Sequence, residues 1–448
     1  MRAFGVLSNR LFDVVASGGR AVSDPVPSMI SVFGDAVAQV SGPAELAAGV
    51  DAMSARPRLG PAVRLAAEYV HAEHSFDARA RTFIGDAFAI LGLPSPFAPQ
   101  TPDFDDRLAV HIIAPHSAVG PQSSAYIRLI APLTDETVAG RIRLTLGAPG
   151  DAVPVCDVCI VQRTAMPTVA AVDALVRRLG EIGAALVVDV DDAFTLIGSD
   201  HVEYDRYRPL NAALDRAIAA SAETWFSTAE LADAYATLGP RSVIMPNAID
   251  PRLWRDWRHD RAAPFSSERV RMVYMGTHTH GTDFALIRPA LDRLHAERGD
   301  AFDLTVIGIA PDLVPARWLH RLAPPAEAVS YPRFARWLRG QGPFDLGLAP
   351  LADTAFNRCK SDIKALDYAA LGILPLLGDG PAYRADALLG RYALFADADG
   401  WLDMLHAVLD DREDAARRAA AAQDHVWNNR TVSAIAPMLA DRLEALRS

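Results

Sequence analysis

Apolar positions along the chain follow two different periods. Up to about residue 104 they recur at helical spacing in Ala-rich stretches such as AVRLAAEYVHAEHSFDARARTFIGDAFAIL, which predicts a mostly helical region. The Pro-rich LPSPFAPQTPDFDD breaks that pattern and reads as a linker. Beyond it, short apolar runs, several rich in Val and Ile, alternate with helical stretches. The first series is LAVHIIAP, IRLTLG, VCIVQR, ALVVDV, TWFST and VIMPN, with AAVDALVRRLGEIG and PLNAALDRAIAASA among the helices between. The second is RMVYMG, FDLTVIG, AVSYPRF, DLGLAPL and ILPLLG. Buried strands alternating with helices argue for parallel sheets covered on both faces.

The two series meet at MPNAIDPRLWRDW, where Asp250 caps a helix that has Pro251 at its first position. The economical architecture is α/β: two tandem doubly wound, Rossmann-like domains with a cleft between them and an N-terminal helical extension. The expected divisions are 1–104 for the extension and linker, 105–250 and 251–425 for the two αβ domains, and 426–448 for a closing helix. No internal repeat is evident.

Composition narrows this picture without changing it. A chain of 448 residues exceeds one typical core, and 50% hydrophobic with 22% charged residues is ordinary for a globular protein. The formal charge of −11 gives no basic footprint for nucleic acid, although local basic patches remain compatible with it. No apolar run reaches the roughly 18 residues that span a bilayer. Arg10 and Asp13 interrupt the opening MRAFGVLSNRLFDVVASGG, which reads as a packed helix rather than a cleavable signal, with peripheral membrane contact as the alternative. Three cysteines form no disulfide framework, so the expected compartment is the cytoplasm. Cys156 and Cys159 are three apart in a strand, on opposite faces, and read as small core residues rather than a metal or redox pair.

Candidate chemistry gathers where strands run into helices, because ligands of open α/β sheets bind beyond the carboxyl ends of the strands. In VYMGTHTHGTDFALI, Gly276 permits a tight turn and Thr277, Thr279, His280 and Asp283 cluster before a helix. In TVIGIAPD, Gly308 ends a strand in the same way. In FNRCKSDIKALDYAALGILPLLGDG, Lys360, Lys364 and Asp367 fall on one stripe of a helix at about 100° per residue, with Cys359, Ile363, Leu366 and Ala370 on another. A solvated helix face would explain those charges. A nucleoside diphosphate explains them together: the helix start and the two lysines meet the phosphates, and Asp367 accepts from the ribose hydroxyls. Asn357 and Ser361 flank the same turn and join the donor-binding set.

In the first half, Asp189, Asp191 and Asp192 close the strand of VVDVDDAF. Paired carboxylates there would suit a hard cation in a D-x-D site, but a second αβ domain of this size argues against one, and Asp191 and Asp192 are read as lining the cleft and contacting acceptor or sugar; a helix cap is the alternative for Asp192. APHSAVGPQSSAYIRLIAPL follows the first strand. Its Gly120, Ser123, Ser124, Tyr126 and Arg128 offer an acceptor-side loop. His116 is a candidate general base or a structural hydrogen-bonder, and Asn247 is expected to brace the hinge.

The tandem αβ domains, VIMPNAID at the join, MGTHTHGTD and DLGLAPL…FNRCKSDIKALDYAALGILPLL resemble family 4 glycosyltransferases of the GT-B fold, over roughly 105–448. Within that family the chain looks closest to the branch of bacterial surface-glycan and protein glycosylation. The resemblance implies transfer from a nucleotide-diphosphate sugar to a glycan or protein acceptor, with retention and with neither metal nor other cofactor. It also places the acceptor on the first domain. Asp191, Asp192, His280 and Lys360 are the catalytic candidates. The chain departs from the family in two places. The family's two glutamates, separated by seven residues, correspond to Cys359 and Asp367, and a thiol does not replace a carboxylate as acceptor. GTHTHGTD stands where a Gly-Arg…Lys phosphate grip is usual, so Lys360, Lys364, Thr279 and backbone amides are expected to hold the phosphates. The rival expectations are a nucleotide-sugar epimerase of the same fold and a non-catalytic binding protein that lost chemistry at Cys359.

Overall fold

The computed structural model describes residues 7–26, 29–55, 61–90, 107–117, 120–239, 241–254, 264–276, 278–308, 314–326, 328, 330–386, 389–397 and 399–447. The linker and the 104/105 boundary lie outside these residues, as does Thr277.

The chain forms two units, Met1–Asp103 and Phe104–Ser448. In the first, helices Asn9–Ala16, Met29–Phe33, Pro43–Ala55, Pro61–His74 and Phe76–Ile90 accompany a parallel ribbon of Ala21–Ser23 against Val37–Gln39. Leu11, Val15, Met29, Phe33 and Val70 make its small core. The helical pattern predicted the helices; the ribbon, three residues a side, is too short to show a period.

The second unit holds two six-stranded sheets whose ladders are all parallel. Across the first sheet the strands are Ser242–Ile244, Glu223–Phe226, Ala185–Val190, Val158–Gln162, Leu108–Ile113 and Ile142–Gly147. Across the second they are Leu319–Leu322, Phe302–Ile307, Val270–Met275, Leu346–Ala349, Leu374–Gly378 and Leu394–Ala396. In chain order within each sheet these are 2-1-3-4-5-6 and 3-2-1-4-5-6, the two common doubly wound windings. The strand order reverses between Leu108–Ile113 and Val158–Gln162 in the first sheet, and between Val270–Met275 and Leu346–Ala349 in the second.

Central strands such as Val158–Gln162 and Leu346–Ala349 are buried at every position, as expected where helices cover both faces. The helix Val169–Ile182 begins where Thr168 accepts from the Ala171 N–H and ends at Gly183, whose φ of 68° is the left-handed turn that favours glycine. One assignment changes. Of the strand expected at AVSYPRF, the part from Tyr331 on is helical: Tyr331–Arg339 is a helix with a proline in its first turn, burying Tyr331, Ala335 and Leu338 at helical spacing. The strand is Leu319–Leu322, half-exposed at the sheet edge and so without an apolar run.

The two halves are tied where the chain passes between them. Ile249 pairs with Thr431 in a parallel bridge. The helix Val432–Glu444 then packs Ala436, Leu439, Ala440 and Leu443 onto the first sheet. Asp250 accepts from the Arg252 N–H at 2.9 Å at the start of helix Pro251–Trp254.

Candidate functional site

The reversal point of the second sheet is held open by Tyr368. Its hydroxyl accepts from the Met275 N–H at 3.0 Å and donates to the Leu348 carbonyl at 3.0 Å, bridging the two strands as they part. Gly347 makes room, since a Cβ there would lie 2.5 Å from the Tyr368 ring. The helix carrying Tyr368, Ile363–Ala370, therefore points its first turn into the crevice, and first-turn N–H groups lack intrahelical partners.

The stretch opening this region is not one helix. Ala355–Arg358 is a separate turn capped by Thr354, and the chain breaks through Cys359–Asp362 before the next helix begins. At that break the Cys359 carbonyl accepts from Thr228 Oγ1 of the first-sheet half at 3.0 Å. Lys360, Lys364 and Asp367 thus do not share a stripe, and each meets its own partner. A solvated face is also excluded, because Ala365–Ala370 is buried throughout.

Lys360 reaches across the cleft to Asp192, Nζ to Oδ1 at 3.3 Å, and lies over the Phe356 ring. Lys364 Nζ is 3.4 Å from both ring nitrogens of His280 and faces the Tyr274 ring. Burial, then the charge of Lys360, pulls the Lys364 ammonium down to about 7. Burial, then Lys364, lowers His280 to about 4, so its 2.8 Å contact with Asp283 is a neutral imidazole N–H donating to a carboxylate. Asp283 also accepts from the Ala352 N–H at 2.8 Å and Asn357 Nδ2 at 3.1 Å. Burial would raise that carboxyl, but the His280 and Ala352 bonds hold it below the usual range. Asp283 and Asn357 thus tie the two loops of the reversal point together. Gly276 and Gly308 bring a third loop in: Gly308 has φ 75°, and a Cβ on it would lie 2.3 Å from the Gly276 carbonyl oxygen. Thr279 sits in the short turn His278–His280, partly exposed.

Asp367 lies on the inner side of its helix and accepts from the Tyr331 hydroxyl at 2.6 Å. Burial pushes its carboxyl up to about 7, against that hydrogen bond. Ser361 accepts from Asn247 Nδ2 at 2.7 Å, and Asn247 Oδ1 accepts from Arg128, so Asn247 links the halves. Cys359 is buried among first-sheet core residues, and its Sγ contacts the Glu230 and Ala355 carbonyls.

On the first-sheet side, Asp191 and Asp192 follow strand Ala185–Val190 and face cations. Arg163 Nε is 2.9 Å from Asp191 Oδ1, and its Nη2 donates to Asp192 Oδ2 at 3.1 Å. Its Nη1 donates to Ser124 Oγ at 3.1 Å, and the guanidinium lies over the Phe194 ring. Burial raises Asp191 to about 6 against the pull of Arg163. For Asp192, burial is outweighed by Lys360 and then Arg163, which hold it below the usual range. Sequence reasoning missed Arg163, although it ends the run VCIVQR at the carboxyl edge of a strand. Its φ of 54° is uncommon for a side-chain-bearing residue and is of the kind found at functional sites.

The acceptor-side residues divide. Gly120 lies in a two-residue hairpin strand opposite His116–Ser117, and Ser124 belongs to the Arg163 network. Tyr126 donates to Asp250 at 2.6 Å, at the join. Arg128 is buried in an ion pair with Asp189. Ser123 begins a short helical turn, and His116 Nδ1 contacts the Ala114 carbonyl at 2.8 Å. Cys156 and Cys159 are both buried and unbridged, and burial raises both thiols. No group of three or more His, Cys, Asp or Glu side chains placed to hold a metal occurs among the described residues. No helix among them is long and apolar enough to cross a membrane.

No protein-family model matches the sequence, and no curated protein matches it. Solved structures do. The Anabaena protein HepE, solved with UDP-glucose, superposes with a TM-score of 0.53 at 12% identity over 76% of this chain and all of its own. Sucrose-phosphate synthase from Thermosynechococcus elongatus gives 0.53 at 9% identity over 76% of this chain and 99% of its own. An α-glucosyltransferase solved with UDP and a DNA 13-mer gives 0.52 at 12% identity over 75% of this chain and all of its own. With its two doubly wound sheets and the helix returning from the second half to the first, the chain has the GT-B fold, the fold of these glycosyltransferases.

Proposed function

We propose that the protein is a glycosyltransferase that takes a sugar from a nucleotide-diphosphate donor and passes it to a glycan or protein acceptor, with retention and without a metal. One observation carries the reading: Lys360, Lys364 and the first turn of Ile363–Ala370 converge with the Gly276–Gly308 contact at the reversal point of the second sheet. That is where doubly wound sheets hold nucleotides, and cations beside a helix N-terminus suit a diphosphate. HepE and the DNA α-glucosyltransferase carry UDP or UDP-glucose on this fold.

In this reading the chemistry is electrostatic. Lys360, Lys364 and backbone N–H groups stabilise the charge that develops on the departing nucleoside diphosphate. The acceptor hydroxyl, entering beside Ser124 and Asp192, attacks from the face the leaving group vacates and passes its proton to the leaving phosphate oxygen. His280, neutral at physiological pH, does not add a competing positive charge and holds Lys364 in place. Closure of the two halves excludes water that would otherwise take the sugar.

Calorimetric titration of UDP, GDP, dTDP and CMP into the full chain tests this, with Lys360→Ala alongside. One nucleoside diphosphate is expected to bind, about tenfold or more weakly in Lys360→Ala; no binding by any of the four refutes the donor site. One second reading is a binding protein without transfer, because a buried core thiol and no carboxylate stands at Cys359. Donor binding with neither transfer nor donor hydrolysis would select it.

A further inference from the structure

Asp192 is the one carboxylate described in the cleft that two cations from different halves share. Arg163 holds Oδ2 from its own half, and Lys360 holds Oδ1 from the other. The two bonds differ in what they can survive. The Arg163 guanidinium is fixed on four sides: by Asp191, Asp192, Ser124 and the Phe194 ring. Lys360 is a flexible ammonium whose described contacts are Asp192 at 3.3 Å and the Phe356 ring. An anion richer in charge than one carboxylate, arriving at the second-sheet reversal point, therefore recruits Lys360 more easily than it disturbs Arg163.

Resting on the nucleotide-sugar reading above, we infer that Asp192 is an internal counter-ion for Lys360 that the donor diphosphate displaces. Arg163 then holds it in place as a positioning residue, with Oδ1 turned to a hydroxyl of the sugar or acceptor. Before donor binding, the Asp192–Lys360 contact bridges the halves and occupies the ammonium. After it, the ammonium neutralises phosphate, and Asp192 presents an acceptor atom beside Ser124 on the acceptor side. Hydroxyl recognition is thereby delayed until the donor is seated.

The inference predicts effects of opposite sign, which a merely structural role for the two residues would not produce. Asp192→Asn removes the competitor for Lys360, so the nucleoside diphosphate that binds the wild type should bind about fivefold more tightly. Arg163→Met leaves Asp192 with Lys360 as its sole described cation, so the same ligand should bind more weakly. The double variant should return to the tight value. Arg163→Lys, which keeps the charge but not the three-way reach, should fall between Arg163→Met and wild type, and it serves if Arg163→Met fails to fold. Calorimetry of UDP, GDP and dTDP on the full chain, with melting temperatures of each variant, reads all four. Unchanged or weaker binding by a folded Asp192→Asn overturns the inference while leaving the donor site standing. Absence of binding in the wild type and in every variant overturns the donor site and the inference with it.

Discussion

Arg128 was expected in an acceptor-side loop, but it lies in the helical turn Tyr126–Ile130 with the geometry of a brace, and removing it tells the two apart. Its side chain is 3% exposed and that of Asp189 is 0%. Nε donates to both Asp189 oxygens at 2.9 Å, and Nη2 to one of them at 2.6 Å. Nη1 donates to the Met245 carbonyl and to Asn247 Oδ1, each at 3.0 Å. Arg128→Met leaves a buried carboxylate without its cation, which typically costs about 3–5 kcal/mol. It also leaves two acceptors without a donor, at roughly 1 kcal/mol each where solvent cannot replace it. Relaxation and water entry offset part of that sum, so the expected loss is about 4 kcal/mol. Arg128→Met with Asp189→Leu removes both charges and should recover most of it, giving a coupling far outside the additive range.

Urea unfolding of the full chain measures the loss, and hydrogen exchange at 185–190 and 223–226 localises it. Asp189 and Trp225 are register partners there, so opening at the ion pair should release both strands. A loss below about 1 kcal/mol for the single variant, or a double variant no better than the single, would refute the brace.

Two further predictions concern the donor side. The Asp367 carboxyl moves from 3.8 to about 7 on folding, so between those values the folded state holds the extra proton and stability falls as pH rises. The difference in stability between wild type and Asp367→Asn should therefore decline from pH 4 to 7; a flat or rising difference in paired urea titrations would sink the assignment. Gly308→Ala places a methyl 2.3 Å from the Gly276 carbonyl oxygen, at a φ of 75°, and should cost about 1–3 kcal/mol while weakening nucleoside diphosphate binding. A variant that melts and binds as the wild type does would mean the two loops move apart freely.

The two sheets were legible because strands covered on both faces must be apolar throughout, and Leu346–Ala349 and Leu374–Gly378 stand out as such. Leu319–Leu322 was not, since an edge strand half in water carries no such run. The loops of the site were legible for a topological reason: polar residues clustered after strands mark the carboxyl edge of a parallel sheet. The partners inside it were not. Lys360 meets Asp192 from 168 positions away, and Tyr331 meets Asp367 from 36, so no local spacing reports either contact. The stripe reading of Lys360 failed because Ala355–Arg358 and Ile363–Ala370 are separate helices, a break that helical spacing alone does not report.

These contacts leave the cleft with its charges matched before any ligand enters. Arg128 answers Asp189, and Arg163 with Lys360 answers Asp191 and Asp192. Asp283 accepts from neutral His280, with Lys364 beyond it at about 7. A diphosphate adds at least two negative charges to this balance, at low local dielectric. The groups able to answer are those already poised near neutrality: Lys364 by holding its proton, and Asp191, at about 6, by gaining one. Nucleoside diphosphate binding at pH 7.5 should therefore take up protons. Its calorimetric heat should then differ between two buffers of unlike ionisation enthalpy, and its affinity should fall as pH rises past about 7, where free Lys364 loses its charge. Equal heats in both buffers, with affinity flat from pH 6.5 to 8.5, would mean that the phosphates meet charge the protein already carries and that Lys364 faces away from them.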